Sequence, residues 1–478
     1  MSKMLTMPGR AAGNDGQVLA SEQSTSSGQP VNSERIAVLE LAGWYLGAAG
    51  LALGHTVVAQ LLILLRSIYD LPHGIHNLRR RLRGEGRALT GKGQPEGPPT
   101  CQVRCCDVTY PVPAQRPGRA GIPLLSLGTW MLFTSAFAYK PDNAIGSTLG
   151  IMLTGWLTLG AVRRVFRHDS RVLTHDLDMP GVHGRGLRTG ARLIATFLTS
   201  SAIGAIYALS GIIKYRIMQY SWLPRAQLPF VGCNTAGMIF ALSILLALGC
   251  LRNVKWTWRA ALLGLILLEF AALIATQSRG AFLSLAVGLV VFMAYRKRSV
   301  VILIPLVAIL IASVAFYPAL GQRYSSILKL DSNKDRIEIW RTAAMIIRDH
   351  PIVGIGVNNF RGVYERYPHP EPMKQAQPFA HNIFLEIGAS TGIPGLALFA
   401  WVVTAAIING IKAARSAQYG HIGRVALALF AGLMTHLQVD LTIYSMDMAP
   451  LFFMIYGTLS WLGDHHATGS GGDAGEIG

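Results

Sequence analysis

Apolar runs of about twenty residues recur from residue 36 almost to the C-terminus, each long enough to cross a bilayer core as a helix. They fall at 36–65, 122–139, 143–162, 191–213, 230–251, 260–276, 281–295, 299–317, 388–411, 425–443 and 448–463. None alternates apolar and polar residues as a barrel strand would, and lipid leaves an open backbone unsatisfied. The pattern predicts an all-α, polytopic integral membrane helix bundle of about 11 or 12 transmembrane helices. Segment 36–65 is either one crossing or a tight pair broken near Gly47–Gly54. In the polar stretch 318–387, Ser332 and Asp335 fit a helix cap. Ile337, Trp340, Ala344 and Ile347 then repeat as one apolar stripe, expected to lie on the bundle or the lipid headgroups. Pro351 stops this helix, and Gly354 and Gly356 mark a turn after it.

Composition agrees with a membrane protein. Of 478 residues 51% are hydrophobic and only 14% charged, where a soluble chain carries about a quarter. The net charge of +18 raises the question of nucleic acid, but much of the excess sits in short loops, where it retains them in the cytoplasm. No nucleic-acid partner is expected; the lipid bilayer is. Basic clusters at Arg252–Arg259, Arg296–Arg298 and Lys412–Arg424 place 277–280 and 318–387 outside, and the arginine-rich 163–190 loop inside. The organisation follows as a polar cytoplasmic tail (1–35), the first membrane segment (36–65), a basic cytoplasmic loop (66–121), a transmembrane bundle (122–317), a periplasmic loop (318–387), C-terminal transmembrane helices (388–463) and a tail (464–478). Cys101, Cys105 and Cys106 lack zinc-ligand spacing and read as reduced thiols; His168, His175 and His183 are scattered; no metal or cofactor is expected.

Three residues converge on the outer face: Arg279 between two apolar runs, Arg336 at the start of the outer helix, and His381 where the outer loop re-enters the membrane. Each also has an ordinary reading, as a snorkelling arginine, a solvated surface charge and a satisfied interfacial histidine. Glu386, one turn beyond His381, either orients its ring or is a solvated acid. Asp440 and Asp447 flank Tyr444 in an outer turn, where they read as solvated in preference to lining the entrance of a site on that face; Glu269 sits mid-run with no partner legible in the sequence.

The order Ser278-Arg279-Gly280-Ala281, Arg336-x-x-x-Trp340, His350-Pro351-Ile352-Val353-Gly354-Ile355-Gly356, His381-Asn382-x-x-Leu385-Glu386 and Gly392-Ile393-Pro394-Gly395 resembles the O-antigen ligase and polymerase superfamily. Asn234 resembles the Asn which that family places in a middle helix, and the likeness covers about residues 190–460. The resemblance implies a fold like that of GT-C glycosyltransferases with a large helical periplasmic loop, in the inner membrane. It implies a metal-independent glycosyltransferase that takes a glycan from undecaprenyl diphosphate and passes it to an acceptor hydroxyl at the periplasmic face. That acceptor is a lipid A–core sugar for a ligase and another lipid-linked glycan for a polymerase. Arg279, Arg336 and His381 match the family's functional residues, with Asn382, Glu386, Arg341 and Trp340 beside them as candidate substrate contacts; Arg341 also reads as a solvated charge. Planar guanidinium groups meet phosphate oxygens in pairs without Mg²⁺, and an imidazole is a suitable base for a hydroxyl. The alternative is a transporter or flippase of lipid-linked glycans, for which the chain shows no internal repeat.

Overall fold

The computed structural model describes residues 121–173, 185–217, 224–229, 231–252, 254–294, 334–368, 377–417, 419–441 and 448–469. All belong to one compact unit, Ala42–Gly478. Segments 36–65 and 299–317, residues 66–120 of the basic loop with its three cysteines, the cap residue Ser332, His175, His183, Asp447, the N-terminal tail and residues 470–478 lie outside the described residues.

The described residues are helical, with no strand among them: α1 (Ile122–Ser135), α2 (Pro141–Leu173), α3 (Arg185–Ile217), α4 (Cys233–Cys250), α5 (Trp256–Thr276), α6 (Arg279–Ala294), α7 (Lys334–Asp349), α8 (Phe360–Tyr364), α9 (Ile383–Arg415), α10 (Gly420–His436) and α11 (Ala449–Gly469). The remaining nine apolar segments of the sequence coincide with α1–α6 and α9–α11. Five helices are long and apolar enough to cross a membrane: Pro141–Arg163 within α2, Leu193–Lys214 within α3, α4, α5 and α9. The chain is an all-α polytopic membrane protein. Helices α2 and α3 run beyond their apolar stretches into the basic 163–190 region, because a helix satisfies its own backbone wherever it lies.

The core forms around α4, which is apolar on every side and correspondingly enclosed by α3, α5, α6 and α10. Small residues let these helices approach: Gly237 of α4 lies against Ala281 and Thr276, and Ser284 Oγ of α6 donates to the Gly432 carbonyl of α10 at 2.7 Å. On the other side, α9 packs against α1, α10 and α11. Trp256 and Trp258, beside Lys255 and Arg259, stand exposed at the start of α5 as interfacial anchors.

The outer helix α7 lies on α9. Its buried residues are Ile339, Thr342, Ala343 and Ile346, whereas Ala344 of the expected stripe is exposed. The stripe is therefore rotated by about one residue from the sequence pattern. The face it selects passes through Arg336, at i, i+3, i+7 and i+10 with Ile339, Ala343 and Ile346. That rotation turns Arg336 inward.

The two glycine-rich motifs are halves of one joint. Helix α9 breaks at Gly392, whose φ of 72° is the left-handed region, and Pro394 has no N–H to give. The carbonyls of Ala389 and Ser390 thereby lose their ordinary donors at 393 and 394, and the Thr391 carbonyl beside them is met from another helix. Ile355 N–H donates to Ala389 O at 2.9 Å, Gly356 N–H to Ser390 O at 2.9 Å, and Trp130 Nε1 to Thr391 O at 2.9 Å. The freed Ile393 N–H donates to Pro351 O at 2.8 Å. At about 1 kcal/mol each, and more if such buried groups were left unpaired, these bonds tie the outer loop to the break. Gly354, with φ of 66°, lets the chain pass against the α9 backbone. Beyond it, Asn359 Nδ2 donates to Ile355 O and to Lys140 O, and Asn143 Nδ2 to Asn358 O, fastening the same loop to the α1–α2 turn.

Candidate functional site

A small open cavity lies where the end of α5, the starts of α4 and α6, and α7 meet the turn beyond α10. Its geometry starts from the α5–α6 corner. Gln277 takes the left-handed conformation (φ 53°), and its N–H closes on Ile274 O at 3.0 Å. The chain thus reverses in two residues. Ser278 then caps α6, its Oγ accepting from Ala281 N–H at 3.4 Å. Arg279 follows as the first helical residue and lines the cavity. The positive end of the α6 dipole faces the same space.

Arg336 reaches the cavity from α7. Burial pushes its guanidinium pKa down; Asp440 opposes that shift and Arg225 adds to it. It nonetheless stays charged, as arginine does in proteins.

Arg225, which the sequence reading passed over, supplies a third guanidinium. Its Nε donates to Thr276 O at 2.9 Å and its Nη2 to Asn234 Oδ1 at 2.6 Å. It therefore caps the carbonyl end of α5 while facing the cavity. It sits in an irregular stretch before α4, where neither periodicity nor motif marks it; the only signal was a lone cation close to Asn234. Asn234, on the first turn of α4, belongs to the same wall.

Asp440 is the centre of charge of the opposite sign. Helix α10 ends at His436 instead of running to 443, so Asp440 lies on the turn beyond it, half-enclosed and not solvated as expected. Its Oδ1 is 3.3 Å from His381 Nδ1. Burial pushes its carboxyl up, but the His381 hydrogen bond, the nearby imidazoles of His436 and His381, and Asn234 together hold it below the ordinary aspartate value.

His381 does not itself line the cavity; it meets the wall through Asp440. It stands in the left-handed region (φ 53°), a conformation that must be held by its surroundings. Two neighbours hold it. Glu386, fully buried, accepts the Ala380 N–H at 2.7 Å and Ser390 Oγ at 3.4 Å. It thus fixes the backbone before His381, and Asp440 meets the ring. Asn382 caps α9, accepting from the amides of Phe384 and Leu385 at 3.0 and 3.2 Å, while its Nδ2 donates to Gln438 O at 3.2 Å. That last bond, with Ile383 N–H to Leu437 O at 2.9 Å, sews the start of α9 to the end of α10.

The structure thus gathers Arg279, Arg336 and, through Asp440, His381. It does not bring Arg341 or Trp340 to the cavity wall. Arg341 is exposed and pairs with Glu338 one turn back, and Trp340 points its Nε1 into a buried position without a hydrogen-bond partner among the described residues. Glu269, left without a partner by the sequence, accepts from Ser243 Oγ at 2.7 Å inside the bundle. No group of His, Cys, Asp and Glu side chains that could hold a metal occurs among the described residues. Chemically, three guanidinium groups and a helix N-terminus against one carboxylate make a receptor for a multiply charged anion, with an aspartate-backed imidazole at its edge.

Residues 261–400 match the family model described as O-antigen ligase. The matched stretch runs from α5 into α9; it includes Arg279, Arg336 and His381 and ends before Asp440. No curated protein matches the chain.

Proposed function

Since its O-antigen ligase match supports assigning this chain to the O-antigen ligase and polymerase superfamily, and hence to glycan transfer at a membrane, we propose that it moves a glycan from undecaprenyl diphosphate to an acceptor hydroxyl at the periplasmic face. The observation that carries this reading is the convergence of Arg225, Arg279 and Arg336 on one cavity with the His381–Asp440 pair at its edge.

The step follows from that arrangement. Asp440 accepts from the Nδ1–H of His381 and leaves Nε2 as the lone pair. Nε2 takes the proton of the acceptor hydroxyl as its oxygen bonds to the anomeric carbon. The bond from that carbon to the phosphate oxygen breaks, and the electron pair leaves with the lipid diphosphate. The arginines meet the charge that develops there, and a well-placed donor of this kind contributes a few kcal/mol to the transition state. Asp440 stabilises the imidazolium until the proton passes to solvent. In this reading Asn382 and Glu386 position His381, and no metal is called on.

The test is transfer of glycan from a lipid-diphosphate donor in membranes containing the protein. His381→Ala is expected to lower the rate by about 10²–10⁴-fold. Arg279→Lys keeps the charge but loses the fork, and an expected loss on the order of 10²-fold follows from removing one paired donor. Full activity of both variants would overturn the reading. A deletion strain separates the acceptors: polymer accumulating on the lipid carrier marks a ligase, and single repeats capping the core mark a polymerase.

A further inference from the structure

The cavity holds a group that the transfer step leaves unused. His436, the last residue of α10, lines it, yet its side chain is fully buried; the Gly280 backbone bears on the ring, but neither ring nitrogen makes a well-aligned hydrogen bond among the described residues. An imidazole always carries at least one N–H, and sealing that donor away unpaired costs roughly 1–3 kcal/mol. Buried side chains in this condition call for an explanation, of which a bound ligand is one. The surroundings narrow the choice. Gly280 of the Ser-Arg-Gly corner lies against the ring: a Cβ there would come 2.6 Å from Val439 Cγ2 and 3.5 Å from His436 Nδ1. The glycine thus lets α6 and α10 close together while the ring keeps its place on the wall. Three guanidinium groups share that wall, so whatever the imidazole meets there is an anion rich in oxygen.

We infer that His436 is a binding residue for the diphosphate, donating a ring N–H to a phosphate oxygen held by Arg225, Arg279 and Arg336. The inference rests on the diphosphate reading given above. It assigns the two histidines different tasks: His381 works on the acceptor hydroxyl, and His436 on the leaving group.

Inorganic pyrophosphate is the probe, titrated calorimetrically into the purified full-length protein in detergent. His436→Phe keeps a ring of similar size without nitrogen and is expected to weaken pyrophosphate by about 10- to 100-fold, the value of one hydrogen bond to a charged group. His436→Gln, which restores an N–H, is expected to recover part of that loss. A ring that only packs against Gly280 would leave the affinity of His436→Phe within twofold of wild type while Arg279→Ala still lost binding; that result overturns the inference and spares the clamp. Wild-type protein that binds no pyrophosphate would overturn the clamp, and this inference with it. Where the variants fold poorly, ring ¹⁵N spectra of the wild type give the answer: a His436 signal that shifts on adding pyrophosphate supports the contact, and one that stays fixed rejects it.

Discussion

Asp440 faces two imidazoles, an amide and a guanidinium, and its ionised form is what makes the His381 ring a usable base. Asp440→Asn keeps the shape but reverses the hydrogen bond, favouring the ring tautomer with its proton on Nε2. The expected loss of transfer is about 10²–10⁴-fold, comparable to His381→Ala, with the protein still folded by size-exclusion chromatography. A second outcome follows from its pKa. The folded value lies below the ordinary one, so its ionisation contributes stability fully present above about pH 4 and lost as pH falls through the folded value. Melting temperatures followed from pH 7 to pH 3 should fall less steeply for Asp440→Asn than for wild type. At this scale the sequence was readable where a residue stood in a short ordered motif, as Arg279, Arg336 and His381 do. It was mute where a side chain matters through a meeting of distant segments: Arg225 lies in an irregular stretch, Asp440 read as a turn acid, and His436 was absorbed into an apolar run. An ionisable residue inside such a run is a site hypothesis by default. Applied to His436, that rule would have found it.

At the scale of elements, hydrophobic periodicity located every described membrane helix but missed the orientation of α7. A stripe of Ile337, Trp340, Ala344 and Ile347 and a stripe of Ile339, Ala343 and Ile346 differ by about one residue, and a single helix offers no internal reason to prefer either. What decides is the partner: the outer loop has its own small core of Ile339, Ile346, Ile355, Phe360 and Tyr364, seated on the first turns of α9. The break in α9 falls at Gly392 and Pro394, inside an apolar run that the sequence reads as one uninterrupted segment, and the chain that mends it lies some forty residues earlier, where no local pattern names it. Gly392→Ala tests this joint. A side chain at that φ, driven against the Ile352 and Pro351 carbonyls, is expected to cost at least about 1–3 kcal/mol and lower the melting temperature by several degrees.

For the whole molecule, the helix ends sort into two sets. Arg225, Asn234, Arg279, His381 and Asp440 gather at one end of the bundle, and Arg259, Arg415 and Arg424 lie in the terminal turns at the opposite ends of α5, α9 and α10. The positive-inside bias predicts the cytoplasm for the second set. In intact cells, a membrane-impermeant maleimide should therefore label Arg361→Cys in the exposed outer loop and reach Arg259→Cys only after permeabilisation, each in a background without the five native cysteines. Labelling in the reverse order would place the cavity on the cytoplasmic side and remove the ground for a periplasmic acceptor.

The mended break in α9 also carries a consequence for exchange with solvent. The Ile355 and Gly356 amides belong to a loop, where protons usually swap with deuterium in seconds, yet both end on carbonyls of a membrane helix. Their deuterium uptake should match that of the bundle core, slow on the scale of hours. It should quicken together with that of Ile393, because a single opening of the kink exposes all three.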